Sequence, residues 1–323
     1  MCGIVGFVGH EEAAPILLEG LSRLEYRGYD SAGIAVYGQE DGLQVYKAKG
    51  RLKALCDLVD NGAAVHGSVG LGHTRWATHG QPSDLNSHPH VSQSGRIAVV
   101  HNGIIENYLT LRQRLQTKGV RFLSETDTEV VAQLVDYYYK DDIMDAVTKA
   151  LSRLEGSYAL GILCVDCPDQ IIAARKDGPL VLGYGDGCNF LASDVTAVIK
   201  HTRDVSYMED GEIAVLTADS IKVYDSLLNP VEKEHFTVDW EISAAEKGGY
   251  EHFMIKEIME QPDALRKCLF PRIKNHKLVF QAEVEKALLM PAAVMAEHNA
   301  RKEQGGSRPP KKGFSWLDEF EDR

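Results

Sequence analysis

The chain has 323 residues, enough for two or three domains, and its 44% hydrophobic and 25% charged residues are ordinary for a globular protein. The formal net charge of −12 argues against general nucleic-acid binding, which favours basic patches. No apolar run approaches the ~20 residues that span a bilayer, and six cysteines are too few for a disulfide scaffold, so we expect a cytoplasmic protein without membrane association.

The N-terminal segment offers a candidate nucleophile. Cys2 follows the initiator, so removal of Met1 would place a thiol and a free α-amine on one residue. The amine, with a reference pKa of ~8, can act as the base for the thiol. The apolar run 4–8 predicts a buried strand that would hold this end of the chain rigid. Taken alone, a cysteine at this position is more often incidental.

Along the chain, segments with the helical spacing of apolar residues alternate with short β-branched runs. The spacing predicts helices over 11–25, 52–59, 108–118, 130–139 and 143–154. Strands are predicted over 4–8, 34–37, 43–49, 97–100, 158–165, 171–175, 180–183, 188–192, 212–216 and 221–224, with a further strand beginning at Val69. This β-rich pattern with two blocks of helices indicates packed sheets covered by helices.

A long loop dense in polar and small residues follows the strand that begins at Val69 and continues to His90. Loops of this length are often lids or binding loops. Arg75 could clamp a carboxylate with two parallel hydrogen bonds, or form a surface ion pair. His79, His88 and His90 could suggest a metal site, but no carboxylate lies at ligand spacing, so we expect no metal and keep solvated loop histidines as the alternative.

Two further polar segments follow predicted elements. Asn102 and Gly103 come directly after the strand 97–100, where a side-chain amide and a backbone N–H could form an oxyanion hole; the alternative is a simple turn. Thr126 and Glu129 have the spacing of a capping box. Asp127 would then lie in the first helical turn, either stabilised by the helix dipole or directed at a ligand amine.

Two other motifs favour structural interpretations. The run Gly183-x-Gly185-x-Gly187 resembles a phosphate loop, but a strand rather than a helix is predicted after it, so a hairpin turn is favoured. Cys164-x-x-Cys167 has no second cysteine or histidine pair after it, which favours a strand end over a zinc site.

Several motifs occur in register with one known family. They are the terminus 2–6 and the segments 26–31, 72–80, 86–90, 101–107 and 124–129. Together they resemble the class II glutamine amidotransferases of the N-terminal-nucleophile hydrolase superfamily. The resemblance implies an α+β fold, a four-layer αββα sandwich. It also implies chemistry that needs no metal or cofactor.

The same resemblance implies roles for individual residues. Cys2 would attack the side-chain amide of L-glutamine, and Asn102 with the Gly103 N–H would stabilise the oxyanion. Arg27 would order the site beside Cys2. The expected glutamine-binding residues are Arg75 for the α-carboxylate, Asp127 for the α-ammonium, Trp76, Thr78 and His79 in a closing loop, and His88 near that loop.

The match over residues 1–262 is strongest with the branch of the family that delivers ammonia to fructose 6-phosphate through sugar-isomerase domains. Fructose 6-phosphate would be a partner of this chain only through a missing isomerase domain or a separate subunit, and a homo-oligomer is possible. We therefore expect an amidotransferase domain over 2–240 and a family-like linker over 241–280. Residues 281–323 would form a tail of unknown role, largely disordered.

Two alternatives stay open at the level of sequence. One is a glutaminase subunit of another ammonia-transferring pathway, which shares the same domain. The other is a catalytically silent module that binds glutamine and regulates a partner; an uncleaved Met1 would favour it because it blocks the amine.

Overall fold

The computed structural model describes residues 2–239, 249–270, 273–274 and 277–278. Contacts between residues divide the chain into units 1–249 and 250–323. Met1, residues 241–248, 271–272, 275–276 and 279–280 of the expected linker, and all of the expected tail 281–323 therefore lie outside the described residues.

The first unit contains two antiparallel sheets. One is formed by β1 (Gly3–Val8), β2 (Ser31–Gly38), β3 (Gly42–Lys49), β4 (Val69–Arg75), β9 (Val181–Tyr184), β10 (Asn189–Ala192), β11 (Asp204–Tyr207) and β15 (Phe236–Thr237). Their order is β15-β11-β9-β10-β1-β4-β2-β3, so β1 is central and pairs with both β10 and β4.

The second sheet is formed by β5 (His90–Val91), β6 (Ile97–Ile105), β7 (Gly156–Cys164), β8 (Gln170–Lys176), β12 (Ile213–Thr217), β13 (Ile221–Tyr224) and β14 (Pro230–Val231). Their order is β14-β13-β12-β8-β7-β6-β5.

Helices cover the outer face of each sheet. α1 (Ala13–Leu24) and α2 (Leu52–Leu58) pack on the first sheet, and α3 (Tyr108–Thr117), α4 (Glu129–Tyr138) and α5 (Ile143–Leu151) pack on the second. A third apolar cluster lies between the two sheets. The layers are therefore helix, sheet, sheet and helix, as expected for an αββα sandwich.

The side chains of each central strand alternate between the two faces of its sheet. In β1, Val5 and Phe7 pack toward α1, whereas Ile4 and Val8 join the cluster between the sheets. By the same alternation, Leu71 in β4 and Val100 in β6 face the space between the sheets. Because side chains alternate between the two faces of a sheet, the position of a polar residue along its strand determines whether its side chain lies between the sheets.

Most predicted elements are present, with bounds shifted by a few residues. The glycine-rich run joins β9 to β10 with Tyr184 opposite Asn189, which confirms the hairpin. Cys164 ends β7 and the N–H of Cys167 donates to its carbonyl at 3.0 Å, so this motif is a strand end.

Two local expectations were wrong. Strand β6 does not end at Val100 but continues to Ile105, so Asn102 and Gly103 lie within a paired strand and not in a turn. Helix α4 begins at Glu129, so Asp127 precedes the first helical turn. The Asp127 carboxylate instead accepts a hydrogen bond from the Ile105 N–H at 2.8 Å, which ties it to the end of β6.

In the second unit, the structure describes helix α6 (Phe253–Leu269) and a short hairpin of β16 (Ile273–Lys274) and β17 (Lys277–Leu278). Among the described residues of the whole chain, no helix has the length and apolar character needed to cross a membrane.

Candidate active site

A cavity of about 430 Å³ lies where β1, β4 and β6 approach one another. Nine residues singled out in the sequence line it: Cys2, Arg75, Trp76, Thr78, His79, His88, Asn102, Gly103 and Asp127. The tenth, Arg27, belongs to a short 3₁₀ turn, and its side chain lies outside what the structure describes. The structure thus brings together residues that are up to 125 positions apart in the sequence.

The alternation along the strands explains this meeting. Cys2 precedes β1 in phase with Ile4, and Arg75 in β4 is in phase with Leu71. Asn102 in β6 is in phase with Val100. All three side chains therefore belong to the face between the sheets, where apolar packing ends and the cavity begins.

Cys2 is half-buried and held by the loop that follows β4. The Trp76 N–H donates to the Cys2 Sγ at 3.2 Å, and the thiol reaches the Trp76 carbonyl at 3.5 Å. Burial raises the pKa of the Cys2 thiol above its ordinary value, while the Trp76 N–H acts in the opposite direction. The thiol is therefore mostly protonated near neutral pH, and a nearby base is needed to activate it.

Asn102 and Gly103 form the wall opposite Cys2. The Asn102 Nδ2 donates to the Cys2 carbonyl at 3.0 Å, and its second N–H has no acceptor among the described residues. Gly103 has φ of +134°, and a Cβ at this position would lie 2.2 Å from the Ser157 carbonyl oxygen. Only glycine fits there, because both the dihedral angle and the space exclude a side chain.

Arg75 ends β4 and is 3% exposed. Its Nη2 donates to the carbonyls of His79 and Gly80, the latter at 3.1 Å. Its Nη1 is buried and makes no hydrogen bond with any described residue. A buried guanidinium with an unused donor is costly unless an anion completes it, and a carboxylate matches its geometry.

Asp127 is 4% exposed and is the buried carboxylate among the described residues that line the cavity. Its Oδ2 accepts from the Ile105 N–H, while Oδ1 accepts no hydrogen bond from the described part of the chain. The cavity therefore carries one buried cation and one buried anion, an arrangement suited to the two charged groups of an α-amino acid.

The loop after β4 forms the cavity mouth. The Ala77 N–H donates to the Asp30 carboxylate, and the Trp76 ring packs edge-on against Tyr29 with 5.3 Å between centroids. Trp76 is 48% exposed, so this part of the loop faces solvent. Farther along, the Lys47 ammonium donates to the carbonyls of Leu85 at 3.1 Å and Ser87 at 2.9 Å.

Four histidines are buried beside the cavity, namely His73, His88, His90 and His101. Burial lowers the pKa of each of them, that of His73 to about 3. They are therefore neutral near physiological pH. Of the three loop histidines considered from the sequence, His88 and His90 are buried and not solvated, whereas His79 is partly exposed. Among the described residues, no group of histidine, cysteine and carboxylate side chains is arranged to hold a metal ion.

Several lining residues were not singled out from the sequence. The Ser193 Oγ accepts from the Ile4 N–H at 2.9 Å and so holds the start of β1. Asp177, Gly178 and Pro179 form another part of the wall. No sequence pattern indicated these residues, since their proximity to Cys2 follows from β10 pairing with β1 and β8 lying beside β7.

The arrangement can perform nucleophilic acyl chemistry. It combines a thiol with two hydrogen-bond donors, namely the side-chain amide of Asn102 and the N–H of Gly103. A pair of buried charges can orient a substrate beside them. Donors fixed on a strand need no reorganisation when an oxyanion forms, which is the physical basis of such a hole.

Comparison with known proteins agrees with this site. The family model of the glutamine amidotransferase domain matches residues 57–235. A glutamine–fructose-6-phosphate aminotransferase (isomerizing) of Caldanaerobacter subterraneus subsp. tengcongensis is 59% identical over 275 residues, covering 85% of this chain and 45% of that protein. The enzyme of the same name from Clostridium perfringens is 54% identical over 279 residues, covering 86% and 45%. This chain thus spans less than half the length of these relatives.

Solved structures show the same fold. The glutamine phosphoribosylpyrophosphate amidotransferase of B. subtilis, complexed with ADP and GMP, is 29% identical with a TM-score of 0.62, over 71% of this chain and 50% of that one. A structure described as the allosteric regulatory enzyme of purine biosynthesis is 30% identical with a TM-score of 0.60 over the same shares. The α+β sandwich expected from the sequence is confirmed. The chain belongs to the glutamine amidotransferase domain family, with the fold of the class II, N-terminal-nucleophile amidotransferases.

Proposed function

We propose that this chain hydrolyses L-glutamine to glutamate and ammonia with Cys2 as the nucleophile. The observation that carries the proposal is the single cavity at which Cys2, Asn102, Arg75 and Asp127 meet. Arg75 with its unused Nη1 binds the α-carboxylate of glutamine, and the free Oδ1 of Asp127 binds the α-ammonium. These two contacts direct the side-chain amide toward the thiol.

In the first half-reaction, the Cys2 sulfur attacks the amide carbon and the thiol proton passes to a base. The α-amine freed by removal of Met1 is the base in this proposal, consistent with a thiol whose pKa burial raises. Asn102 and the Gly103 N–H stabilise the resulting oxyanion; removing one such donor typically costs ~2.7–4 kcal/mol. Collapse of the intermediate breaks the C–N bond, the amine returns the proton to the leaving nitrogen, and ammonia departs.

In the second half-reaction, water attacks the Cys2 thioester. The amine accepts a proton from the water, and the same donors stabilise the second oxyanion. Breaking of the C–S bond releases glutamate, and the amine returns its proton to the sulfur, which regenerates the thiol. His79, Thr78 and Trp76 lie on the loop that would close over glutamine during both steps.

For the acceptor of the ammonia, we propose fructose 6-phosphate. The support is the name of the relatives that are 59% and 54% identical. The acceptor chemistry would lie in the part of those relatives that this chain does not match. Phosphoribosylpyrophosphate is the second candidate, supported by the structural neighbour named for it.

Residues 2–240 form the amidotransferase domain in this proposal, residues 241–280 form the linker and residues 281–323 form a tail. A cytoplasmic location and a homo-oligomer stay predictions.

The test is glutamate release from glutamine by the purified chain, beside the Cys2→Ala variant, with the N-terminal mass measured in parallel. We expect release by the chain that lacks Met1 and none by the variant. Binding of glutamine without release, in a chain shown to lack Met1, would instead favour the silent binding module. Formation of glucosamine 6-phosphate from glutamine and fructose 6-phosphate by this chain alone would contradict the placement of the acceptor chemistry.

A further inference from the structure

His73 lies in the middle of the site but does not line the cavity. It is fully buried in β4, opposite Ile4 of β1, on the face between the sheets. Its Nε2 lies 3.0 Å from the Asn102 Oδ1 and 3.1 Å from the His101 carbonyl oxygen. Its Nδ1 is buried and has no hydrogen-bond partner among the described residues.

These contacts determine where the single proton of the neutral ring resides. Both groups that face Nε2 are oxygens that can only accept, because one is a backbone carbonyl and the other is the carbonyl end of an amide. A lone pair on Nε2 would face two other lone pairs, so the N–H is on Nε2. The low pKa of His73, about 3 as a result of burial, keeps the ring in this neutral form near physiological pH.

The same argument determines which way the Asn102 amide faces. The Cys2 carbonyl can only accept, so the NH₂ end of Asn102 must face it. The oxygen end then faces His73, whose N–H meets it. Rotation of the amide by half a turn would bring two oxygens together at Cys2 and two N–H groups together at His73. His73 and the Cys2 carbonyl therefore hold the amide from opposite ends.

We propose that His73 is a positioning residue that keeps the NH₂ end of Asn102 directed at the site of the oxyanion, a role that rests on the proposed glutaminase function. His73 itself does not touch the substrate. Its ring is held in place by the ring of His88, stacked at 4.1 Å between centroids with 13° between planes. The chain of contacts thus runs from His88 to His73, Asn102 and the reacting carbonyl.

Two amide substitutions separate this role from simple packing. The side-chain nitrogen of glutamine is the same number of bonds from Cα as the histidine Nε2, whereas that of asparagine corresponds to Nδ1. His73→Gln therefore retains a donor facing Asn102. His73→Asn places its donor where the wild-type ring makes no hydrogen bond. Asparagine also fills less of the site than glutamine, so a comparison in an Asn102→Ala background is needed as well: there a packing loss persists, whereas a positioning loss does not.

The kinetic experiment measures kcat and KM for glutamate release in both variants. We expect His73→Asn to lower kcat at least about tenfold, approaching the ~10²–10³-fold loss expected on removing an oxyanion donor, with a smaller change in KM. His73→Gln should keep most of the kcat. In an Asn102→Ala background the two variants should differ by less than about twofold, because His73 would have nothing left to position. Equal losses in both variants, or the same losses without Asn102, would overturn the proposal.

A second measurement does not depend on catalysis. With ¹⁵N-labelled asparagine, the side-chain NH₂ signal of Asn102 can be assigned by its disappearance in Asn102→Ala. Its exchange with solvent should accelerate in His73→Asn but not in His73→Gln. Unchanged exchange in both folded variants would contradict the positioning role even if the wild-type chain released no glutamate. An inactive wild-type chain with the expected exchange pattern would count against the proposed function alone.

Discussion

At the scale of single residues, Gly103 leaves no room for a side chain. Its φ of +134° and the Ser157 carbonyl 2.2 Å from a built Cβ are independent obstacles. We expect Gly103→Ala to lower the free energy of unfolding by about 1–3 kcal/mol, as for other strained backbone positions, and to abolish glutamate release. Unfolding in urea and the glutaminase assay measure the two effects.

Gly95→Ala is the matched control. Gly95 also has a positive φ, +79°, but no atom lies within 4 Å of a built Cβ. The Gly95→Ala variant therefore measures the loss in free energy of unfolding that the dihedral angle alone causes, about 1 kcal/mol. A Gly103→Ala variant no less stable than Gly95→Ala would mean that the crowding at Ser157 is relieved by a small shift of the strand.

A second prediction at this scale concerns Arg75. Lysine keeps the positive charge but cannot form two parallel bonds to a carboxylate. We expect Arg75→Lys to lower kcat/KM for glutamine about 10–100-fold, mainly through KM, since a bond to a charged group contributes about 1.5–3 kcal/mol.

The control substrate is a glutamine analogue without the α-carboxylate. For this analogue, kcat/KM should be the same in the wild-type chain and in Arg75→Lys. The control variant Arg114→Lys, at an exposed position of α3, should leave kcat/KM unchanged for both substrates. A loss that is the same for glutamine and the analogue would show that Arg75 acts by holding the loop through His79 and Gly80.

At the scale of elements, edge strand β3 anchors the loop that carries Trp76, Thr78 and His79. Lys47 donates to two carbonyls near the end of this loop, and the Lys49 N–H donates to the Asp84 carboxylate at 2.6 Å. We expect Lys47→Met to accelerate amide hydrogen exchange over residues 78–88 and to raise KM for glutamine. Lys53→Met, which alters an exposed ion pair with Asp57, should do neither.

The effect of Lys47→Met should also depend on pH. Burial lowers the pKa of Lys47 to about 8, so its ammonium loses a proton above that pH and becomes a weaker donor. The difference between the wild-type chain and the variant should therefore shrink as pH rises above 8. A difference that grows above pH 8 would be inconsistent with a charged anchor.

At the scale of the whole molecule, the four buried histidines link stability to pH. Each has a pKa below its unfolded value of ~6.5, so below that pH the unfolded chain takes up protons that the folded chain does not. Their contribution is fully present above pH 6.5 and is lost as pH falls toward the folded pKa values. The free energy of unfolding should fall as pH drops below 6.5, by about 1.4 kcal/mol per pH unit for each histidine that stays neutral in the folded chain.

Urea unfolding at a series of pH values measures this slope. His90→Gln, which can still reach the Thr126 hydroxyl, should reduce the slope by about one proton. A wild-type slope near zero between pH 6.5 and 5 would mean that these rings take up protons in the folded chain over the same pH range as in the unfolded chain.

Much of the secondary structure was predictable from the sequence, because the spacing of apolar residues indicates helices and strands locally. The spacing of Ile16, Leu17, Leu21 and Leu24 gives α1, and the β-branched run 4–8 gives β1. Boundaries were less predictable where a distant partner decides them. β6 continues through Asn102 and Gly103 because β7 offers paired backbone groups, and Asp127 stays outside α4 because the Ile105 N–H binds it.

The sequence was sufficient to identify the family, and the resemblance to that family implied the sandwich fold and the nine residues that line one cavity. Motifs and strand period are local properties of the chain, so they can be recognised without the structure. The groups that surround these nine residues depend on the tertiary structure. Burial of four histidines, the unused donor of Arg75 and the contact of His73 with Asn102 all arise where elements distant in sequence pack together. Desolvation and hydrogen-bond partners depend on neighbours that are distant in sequence, so no local pattern can specify them.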